Sequence, residues 1–482
     1  MLPLFYTDYY KVDHRRQYPP NTSLVYSNFT PRSSRLPGVS KVVVFGLQYF
    51  LKKVLEEDFF CDFWELYTKE STIKQYKRIM DHTLGPDAFP MDHIESLYDL
   101  GYLPIEIKAL PEGSLCPIRV PMLTIKNTHP DFYWLPNFLE TILSNTLWMP
   151  TTSATIAFEY RKLLQHYAEE TSDMMDFVQW QGHDFSMRGH SSLESSILSG
   201  MGHLLSFTGT DTIPAIVGLE DYYNARVNRE LIGGSVPATE HSVMCMGGSE
   251  TEIETFERIL DLYPKGVVSI VSDTWDYWKV LTDILPRLKE KILRRDGKVV
   301  IRPDSGDPVK IVIGDPDSNH GPANAGTIKV LEELFGSEVN SKGYKQLNSH
   351  IGCIYGDSIT LDRCRQISEG LKVQGFASTN MVYGVGSFTY QYNTRDTLGF
   401  AMKATYGIVD GKPVDIFKNP KTDDGVKKSA KGLLRVNEDY TLSEGVSVEE
   451  EKQGLLETVY KDGKIVKEYS LSEIRERLLR SL

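Results

Sequence analysis

Between residues 204 and 387 the chain repeats one local pattern: a short apolar, β-branched run halts at a loop of Asp, Gly or Arg, and helix-like sequence often follows. LLSF at 204–207 runs into Gly209-Thr210-Asp211-Thr212, and VVSIV at 267–271 into Ser272-Asp273-Thr274. VVI at 299–301 runs into Arg302-Pro303-Asp304-Ser305-Gly306-Asp307, IGCIY at 351–355 into Gly356-Asp357-Ser358, and NMVY at 380–383 into Gly384-Val385-Gly386-Ser387. Continuously apolar short strands suit a sheet buried on both faces, with parallel strands and helical crossovers. Asp and Gly just past the C-terminal ends of such strands stand where α/β barrels and open α/β sheets carry their sites. One such ending is ordinary turn chemistry. Five in one region predict an α/β barrel-like unit.

The two ends of the chain have a different rhythm. Residues 103–126 alternate (IEIKALPEGSL, then IRVPMLTIKN) as half-buried antiparallel strands do. Near the C-terminus, TVYKDGKIVKEY reads as a hairpin turning at Asp462-Gly463, and a short helix beginning near Ser472 puts Ile474, Leu478 and Leu479 on one face. The expected organisation is an irregular α/β barrel-like domain over residues 151–390, flanked by a β-rich domain built from both chain ends, 1–150 (with helices) and 391–482. The charged stretch 419–431 reads as the loosest loop. No internal repeat or low-complexity segment interrupts this plan.

Composition narrows the function classes. The chain has 482 residues, room for two or three packed units, with 41% hydrophobic and 24% charged residues as in ordinary globular proteins. A net charge of −12 argues against a general nucleic-acid binder, which needs a basic face. A local convergence of Arg and Lys would still suffice for a small polyanion. Cys61, Cys116, Cys245, Cys353 and Cys364 are scattered, with no C-x-x-C spacing, so neither a zinc site nor a disulfide framework is expected, and a reducing, cytoplasmic setting is. The N-terminus meets Asp8 and Lys11 before any signal-like apolar core, and the apolar stretch near 42–51 is interrupted by Gln48 and too short for a membrane span.

There is no G-x-x-x-x-G-K-[ST] loop, no H-E-x-x-H and no G-x-S-x-G elbow, and Gly384-Val385-Gly386 lacks the third glycine of a dinucleotide fingerprint. Glu220-Asp221 lacks the Thr/Gly-rich continuation with which open-sheet phosphoribosyltransferases hold a 5′-phosphate. What remains suits a phosphorylated sugar. Asp304 and Asp357 at strand ends can accept hydrogen bonds from adjacent ribose hydroxyls. Gly356 and Gly386 let backbone N–H groups approach phosphate oxygens. Arg302 flanks Pro303 opposite Asp304, and Arg32, Arg395 and Lys403 are candidate cations for pyrophosphate.

DYYKVDHRRQYPPNTSLVYS, VFGLQYFL, LPIEIKALPEG, GHDFSMRGHSS, FTGTDT, GGSVPATEHSV, SIVSDTWD, IRPDSGDP, IYGDSI and TRDTLGF occur here in that order. Together they resemble the nicotinamide phosphoribosyltransferases, a branch of the type II phosphoribosyltransferases, over nearly the whole chain. SVPATEH together with IRPDSGDP is the most specific part of the match. The resemblance implies an irregular α/β barrel beside a β-rich domain, a homodimer with active sites shared between subunits, and transfer of a phosphoribosyl group from phosphoribosyl pyrophosphate to nicotinamide. It implies that Phe185 stacks on one face of the nicotinamide ring and Tyr10 of the partner subunit on the other. Asp211 would accept from the carboxamide, with Arg188 lining the pocket and Arg302 nearby. Asp304 and Asp357 would hold the ribose, Gly356 would be a substrate-binding glycine, Gly386 would help cradle the 5′-phosphate, and Arg32, Arg395 and Lys403 would bind phosphate or pyrophosphate. Mg²⁺ would be held mainly by pyrophosphate and water rather than by a protein metal site.

By the same resemblance His241 is the residue transiently phosphorylated by ATP, a co-substrate, with Asp273 as its partner carboxylate and Glu240 adjacent. Ser387 stands where the family's turn has a second glycine, and Ala401 where it has a serine near the phosphate. Both bear on phosphate grip, so weaker ATP coupling is expected while the reaction class stays. Two other readings exist. A nicotinate phosphoribosyltransferase shares the chemistry, but Asp211 would repel the substrate's own carboxylate. A non-catalytic binding or signalling protein of the same fold would be expected to lose His241, Asp304 or Phe185 first, and all three are present.

Overall fold

The computed structural model describes residues 1–319, 321–418 and 430–482. All but the last two residues of the loop expected at 419–431 therefore lie outside the described residues. The chain divides into two compact units: Met1–Thr155 with Gly218–Ala225 and Asn393–Ser481, and Ile156–Val217 with Arg226–Tyr392 and Leu482.

Unit 1 is built on a seven-stranded antiparallel sheet in the order Lys412–Asp415, Phe400–Val409, Thr22–Pro31, Leu123–Asn127, Ile105–Ala109, Glu457–Lys461, Lys464–Ile465. Strands from both chain ends thus interleave, as expected for the β-rich domain. Thr22–Pro31 pairs with Phe400–Val409 over nearly its whole length, and Phe29 stacks on Phe400 at 5.4 Å between ring centroids. That contact adds about 0.5–1.5 kcal/mol beyond the burial itself. The terminal hairpin turns at Asp462 (φ 48°) and Gly463 (φ 81°), two successive positive-φ residues as its sequence requires. The following helix, Leu471–Leu479, begins one residue earlier than expected because Ser470 and Glu473 form a reciprocal capping box.

The alternation at 103–126 was expected to mark strands with one wet face. Ile105–Ala109 and Leu123–Asn127 are instead buried on nearly both faces, since helical segments over residues 47–100 pack a large apolar cluster against the sheet. Of the polar members of that alternation, Lys108 is paired with Glu451 at 3.1 Å and Glu106 with Lys126 at 2.8 Å.

Unit 2 is a parallel barrel. Its strands are β1 Gly182–Asp184, β2 Gly209–Thr210, β3 Val268–Val271, β4 Val299–Arg302, β5 Ile351–Tyr355 and β6 Met381–Val385, in the spatial order β2-β1-β6-β5-β4-β3. Every pairing is parallel. The edges β2 and β3 are each bridged by residues 234–239: Gly234 bonds across Gly209, and Ala238 pairs with Ser269. This irregular segment completes the circuit, so the members follow one another around the barrel in chain order. The helices α1 Leu193–His203, α2 His241–Met246, α3 Pro308–Ile313 and α4 Leu361–Val373 belong to the connections.

Four of the five apolar runs are barrel strands, shifted by a residue or two at their ends. The fifth is a correction: residues 204–207 are the turn closing α1, with Leu204, Leu205 and Phe207 buried, and only Gly209–Thr210 extends as β2. Core burial of a helix end produces the same short apolar run as a strand does. The strand β1 and the 234–239 segment carry no continuous apolar run and were not foreseen.

Candidate active site

Strand polarity gathers the chemistry at one end of the barrel. Because all strands run parallel, Phe185, Asp211, His241, Asp273, Asp304, Asp357 and Gly386 all follow the C-terminal end of a barrel member. A cavity of about 1480 Å³ opens there, wholly within unit 2. Of the residues expected at the site, Phe185, Arg188, Asp211, Glu240, His241, Arg302, Asp304, Gly356, Asp357 and Gly386 line it. Asp273 enters through its bond to His241. The other expected residues, Tyr10, Arg32, Arg395 and Lys403, belong to unit 1.

The cavity wall at Phe185 depends on absent side chains. A Cβ on Gly384 would approach Phe185 Cε2 to 2.8 Å, so the phenyl ring packs against bare β6 backbone. Gly356 similarly leaves room for the Asp304 carboxylate, into which a β-carbon would run. Phe185 also meets His183, tilted by 50° with centroids 4.7 Å apart. His183 Nε2–H donates to Asp211 Oδ1 at 2.8 Å, and the Ser235 hydroxyl donates to the same oxygen at 2.6 Å.

Both donors grip Oδ1, and Oδ2 has no protein partner among the described residues. Burial pushes the Asp211 carboxyl up, but the His183 hydrogen bond and charge, then Ser235, and then the Arg302 charge outweigh it. Together they hold the group below the usual carboxylate range. Asp211 therefore presents one ionised, oriented acceptor oxygen beside Phe185.

Across the mouth, His241 begins α2 and is about half exposed, while its partner Asp273 is 5% exposed. His241 Nε2–H donates to Asp273 Oδ1 at 3.1 Å, and the Ser305 hydroxyl donates to Asp273 Oδ2 at 2.5 Å. Both carboxylate oxygens are thus engaged, and Oδ1 fixes the imidazole tautomer, leaving Nδ1 as the nitrogen available for other chemistry. Glu240 is taken up locally by the Ser242 hydroxyl. Arg302 donates to the Thr239 carbonyl at 2.8 Å, tying β4 to the 234–239 segment. Ser387 packs over Gly189 and brings a hydroxyl to the cavity wall.

In unit 1, Arg32 directly follows the strand Thr22–Pro31, and Lys403 lies on its partner Phe400–Val409. Arg32 donates to the Gly399 carbonyl at 3.1 Å, and Lys403 is in register with Asn28. Arg395 is exposed, with Asp396 as a distant partner at 3.5 Å. Tyr10 is 63% exposed, with the Lys11 ammonium 5.0 Å from its ring centre. Sequence reasoning did not assign roles to His183, Ser235 and Ser305. Each lies in a motif it quoted, within two residues of a residue it did assign or at the opening of one of the same loops.

A model of the Nicotinate phosphoribosyltransferase (NAPRTase) family matches residues 180–464, and one of the nicotinamide phosphoribosyltransferase N-terminal domain matches residues 3–107. The nicotinamide phosphoribosyltransferase of Acinetobacter baylyi is 52% identical, over 100% of this chain and 97% of that protein. Those of Mycoplasma pneumoniae and Xanthomonas campestris pv. campestris are 37% and 33% identical. They cover 86% and 98% of this chain and 92% and 97% of their own lengths. Among solved structures, a nicotinate-nucleotide pyrophosphorylase from Pyrococcus furiosus superposes with a TM-score of 0.56 at 15% identity, over 98% of this chain and 94% of that one. The human nicotinic acid phosphoribosyltransferase does so at 0.53 and 16%, over 98% and 93%. At such identities the likeness is one of fold.

Proposed function

Since the chain belongs to the nicotinamide phosphoribosyltransferase family, it makes nicotinamide mononucleotide and pyrophosphate from nicotinamide and phosphoribosyl pyrophosphate, and we propose that the barrel cavity is where this occurs. The observation that carries the assignment is the one-sided grip on Asp211. With Oδ1 occupied by His183 and Ser235, Oδ2 is left to accept the carboxamide N–H₂ of a ring stacked on Phe185.

The reaction breaks the bond between the anomeric carbon and pyrophosphate and forms one from that carbon to the pyridine nitrogen. The departing oxygens take the electron pair, and the ring nitrogen becomes a pyridinium. No proton transfer to carbon is needed, so the protein's task is alignment and charge stabilisation. Phe185 and Asp211 orient the ring. Asp304 and Asp357, on the ends of adjacent strands β4 and β5, accept from the ribose hydroxyls. Gly386, where a Cβ would meet nothing within 4 Å, leaves open backbone for the 5′-phosphate. Arg188 and Arg302 supply cationic charge from the barrel, and Arg32, Arg395 and Lys403 supply it for phosphate and pyrophosphate.

Among the described residues no three His, Cys, Asp or Glu side chains converge to hold a metal. The hard oxygens of Asp304 and Asp357 suit Mg²⁺ carried with pyrophosphate and water, and the ion would neutralise the departing charge. His241, with its ring fixed by Asp273, is the proposed acceptor of a phosphoryl group from ATP, and Glu240 flanks it. We assign a homodimer in which Tyr10 of the partner subunit closes the ring slot. Exposed apolar side chains at the cavity edge, Leu193 at 61% and Phe388 at 61%, support a covered mouth. All five cysteines are free, which fits a cytoplasmic setting, and no helix among the described residues is long and apolar enough to cross a membrane.

Asp211→Ser tests the assignment. Removing an acceptor from a charged hydrogen bond costs about 1.5–3 kcal/mol, so kcat/KM for nicotinamide should fall roughly tenfold to a hundredfold. Nicotinate, freed from a like charge, should be used better than by the wild type. An unchanged amide-to-acid ratio of kcat/KM would refute the role of Asp211.

A further inference from the structure

Two of the loops at the mouth are joined by a histidine. The turn after β1, which carries Phe185 and Arg188, closes with the Gly189 N–H donating to the Ser186 carbonyl at 3.0 Å and the His190 N–H to the Met187 carbonyl at 3.2 Å. The loop after β6 begins at Gly386 and winds into a short helix, Ser387–Tyr390, after which the Gln391 N–H donates to the Ser387 carbonyl at 2.7 Å. The loops touch at Gly189, where a β-carbon would run into the Ser387 side chain. His190 bonds to both: its Nε2 lies 2.9 Å from Ser186 Oγ and its Nδ1 3.0 Å from Gln391 Oε1.

This joint needs more protons than its groups carry in their ordinary states. The Ser191 N–H donates to Gln391 Oε1 at 3.1 Å, so the amide turns its oxygen to His190 and can only accept there. Ser186 Oγ in turn lies 2.5 Å from Asp184 Oδ1, which also accepts the Ser186 N–H at 2.9 Å. Three contacts thus run in series, Asp184 to Ser186, Ser186 to His190 and His190 to Gln391, and each requires a proton. An ionised carboxylate, a hydroxyl and a neutral imidazole bring only two. The third can rest on His190, whose imidazolium then faces the carboxylate through Ser186. It can equally rest on Asp184, with Ser186 donating to Nε2 and neither end charged.

Nothing else near Asp184 compensates a charge. Asp184 is fully buried, its Oδ2 has no hydrogen-bond partner, and α1 closes on that oxygen, which lies 3.4 Å from where a Gly200 β-carbon would sit. His203, which also faces it, is neutral: Nε2–H donates to the Gly209 carbonyl at 2.9 Å, Nδ1 accepts from the Tyr390 hydroxyl at 2.6 Å, and burial holds the ring below the usual histidine range. A buried charge without a partner is costly. Burial also pulls the His190 imidazole down, against the Gln391 bond and the Asp184 charge, which favours the uncharged placement of the proton.

We propose that His190 is a positioning residue for phosphoribosyl transfer: through a proton shared with Ser186 and Asp184 it clamps the turn that carries Phe185 and Arg188 to the loop that carries Gly386. The proposal rests on the transfer taking place at this cavity. The clamp sets the ring-binding turn against the phosphate loop, so the pyridine nitrogen and the anomeric carbon meet in line while it is closed. Once the chain gives up its shared proton, Nδ1 and Oε1 face each other as two acceptors and the joint opens at Gln391. Transfer therefore weakens as pH rises through that loss.

Mononucleotide formation by the full-length protein is assayed from about pH 5 to pH 9.5 for the wild type, His190→Ala, Gln391→Glu and Phe185→Ala, with melting temperatures as the control for folding. In His190→Ala kcat should fall about tenfold or more, the scale of a slightly misplaced reactant. KM for nicotinamide should change little, because alignment rather than a substrate contact is lost. The fall of wild-type kcat/KM toward high pH should disappear in this variant. Gln391→Glu keeps an acceptor for the Ser191 N–H and for His190 and adds a negative charge, so that fall should move to higher pH by about one unit or more. A wild type without such a fall, a His190→Ala profile parallel to the wild type, or a fall left in place by Gln391→Glu would each overturn the proposal. Should His190→Ala fail to fold, the position of the fall in Gln391→Glu decides. Phe185→Ala separates the two readings. Transfer at the wild-type level in that variant would sink the cavity assignment, whereas impaired transfer there beside an unaffected His190→Ala would sink the clamp alone.

Discussion

His241 and Asp273 illustrate how a side chain's chemistry is set by what its partner has already bonded. Asp273 takes the Ser305 hydroxyl on one oxygen and His241 Nε2–H on the other, so the imidazole is held as one tautomer with Nδ1 directed elsewhere. If His241 carries a phosphoryl group from ATP, His241→Ala should abolish ATP hydrolysis while leaving slow, ATP-independent synthesis of the mononucleotide. Undiminished ATP turnover in the variant would remove His241 from the mechanism, and loss of all synthesis with the fold intact would mean that it touches the substrate. Asp304 and Asp357 were legible at the cavity because each follows an apolar strand, whereas Asp211 and His241 were legible only through their motifs. His183, Ser235 and Ser305 were not. A positioning residue is defined by the group it bonds, and the partners of His183 and Ser305 lie 28 and 32 residues away, that of Ser235 24 residues away.

Among elements, strands with uniform apolar runs were readable and those built from exceptions were not. β3, β4, β5 and β6 each present such a run, whereas Gly-His-Asp of β1 and the GGSVPAT stretch that bridges the barrel edges are polar or glycine-rich because they face the cavity. The C-terminal helix Leu471–Leu479 was foreseen, but its docking was not. Gly113 faces Ile474 so closely that a side chain there would strike the helix backbone, and Arg477 donates to the Glu112 carbonyl. Glu112 is fully buried, and its Oε1 accepts the Gln48 N–H at 2.7 Å. Burial raises its carboxyl to about 7, only partly offset by the Gln48 bond. Since the folded-state value lies above the ordinary 4.5, the folded chain holds a proton that the unfolded chain releases between pH 4.5 and 7. Stability from this group is fully present below pH 4.5, is lost as pH rises to 7, and the loss amounts to roughly 3 kcal/mol at most. Glu112→Gln keeps an oxygen for the Gln48 N–H and cannot ionise. Its melting temperature should therefore exceed that of the wild type increasingly from pH 5 to pH 8; parallel profiles would show that Glu112 does not titrate in this window.

At the scale of the whole molecule, the expected α/β barrel with a β-rich unit from both chain ends is what the structure contains. That plan was legible because sheet class follows from strand rhythm, period two at the ends and continuous in the middle. Which chain completes which site can be decided by counting. Asp304 belongs to unit 2 and Arg395 to unit 1. Suppose one site draws Asp304 from one protomer and Arg395 from its partner, and that Asp304→Ala and Arg395→Ala are each inactive as homodimers. In a mixed dimer one site then combines both lesions and the other combines two wild-type residues. Random exchange at equal amounts makes about half of the dimers mixed, each with one of two sites intact, so activity should recover to about a quarter of wild type. If both residues serve a site within their own chain, every site in the mixed dimer carries one lesion and no activity returns. Subunit exchange, checked by recovering two differently tagged chains in one complex, followed by an assay of mononucleotide formation therefore separates the two arrangements. Exchange without recovery would refute the shared site and leave the cavity of unit 2 to be completed by its own chain.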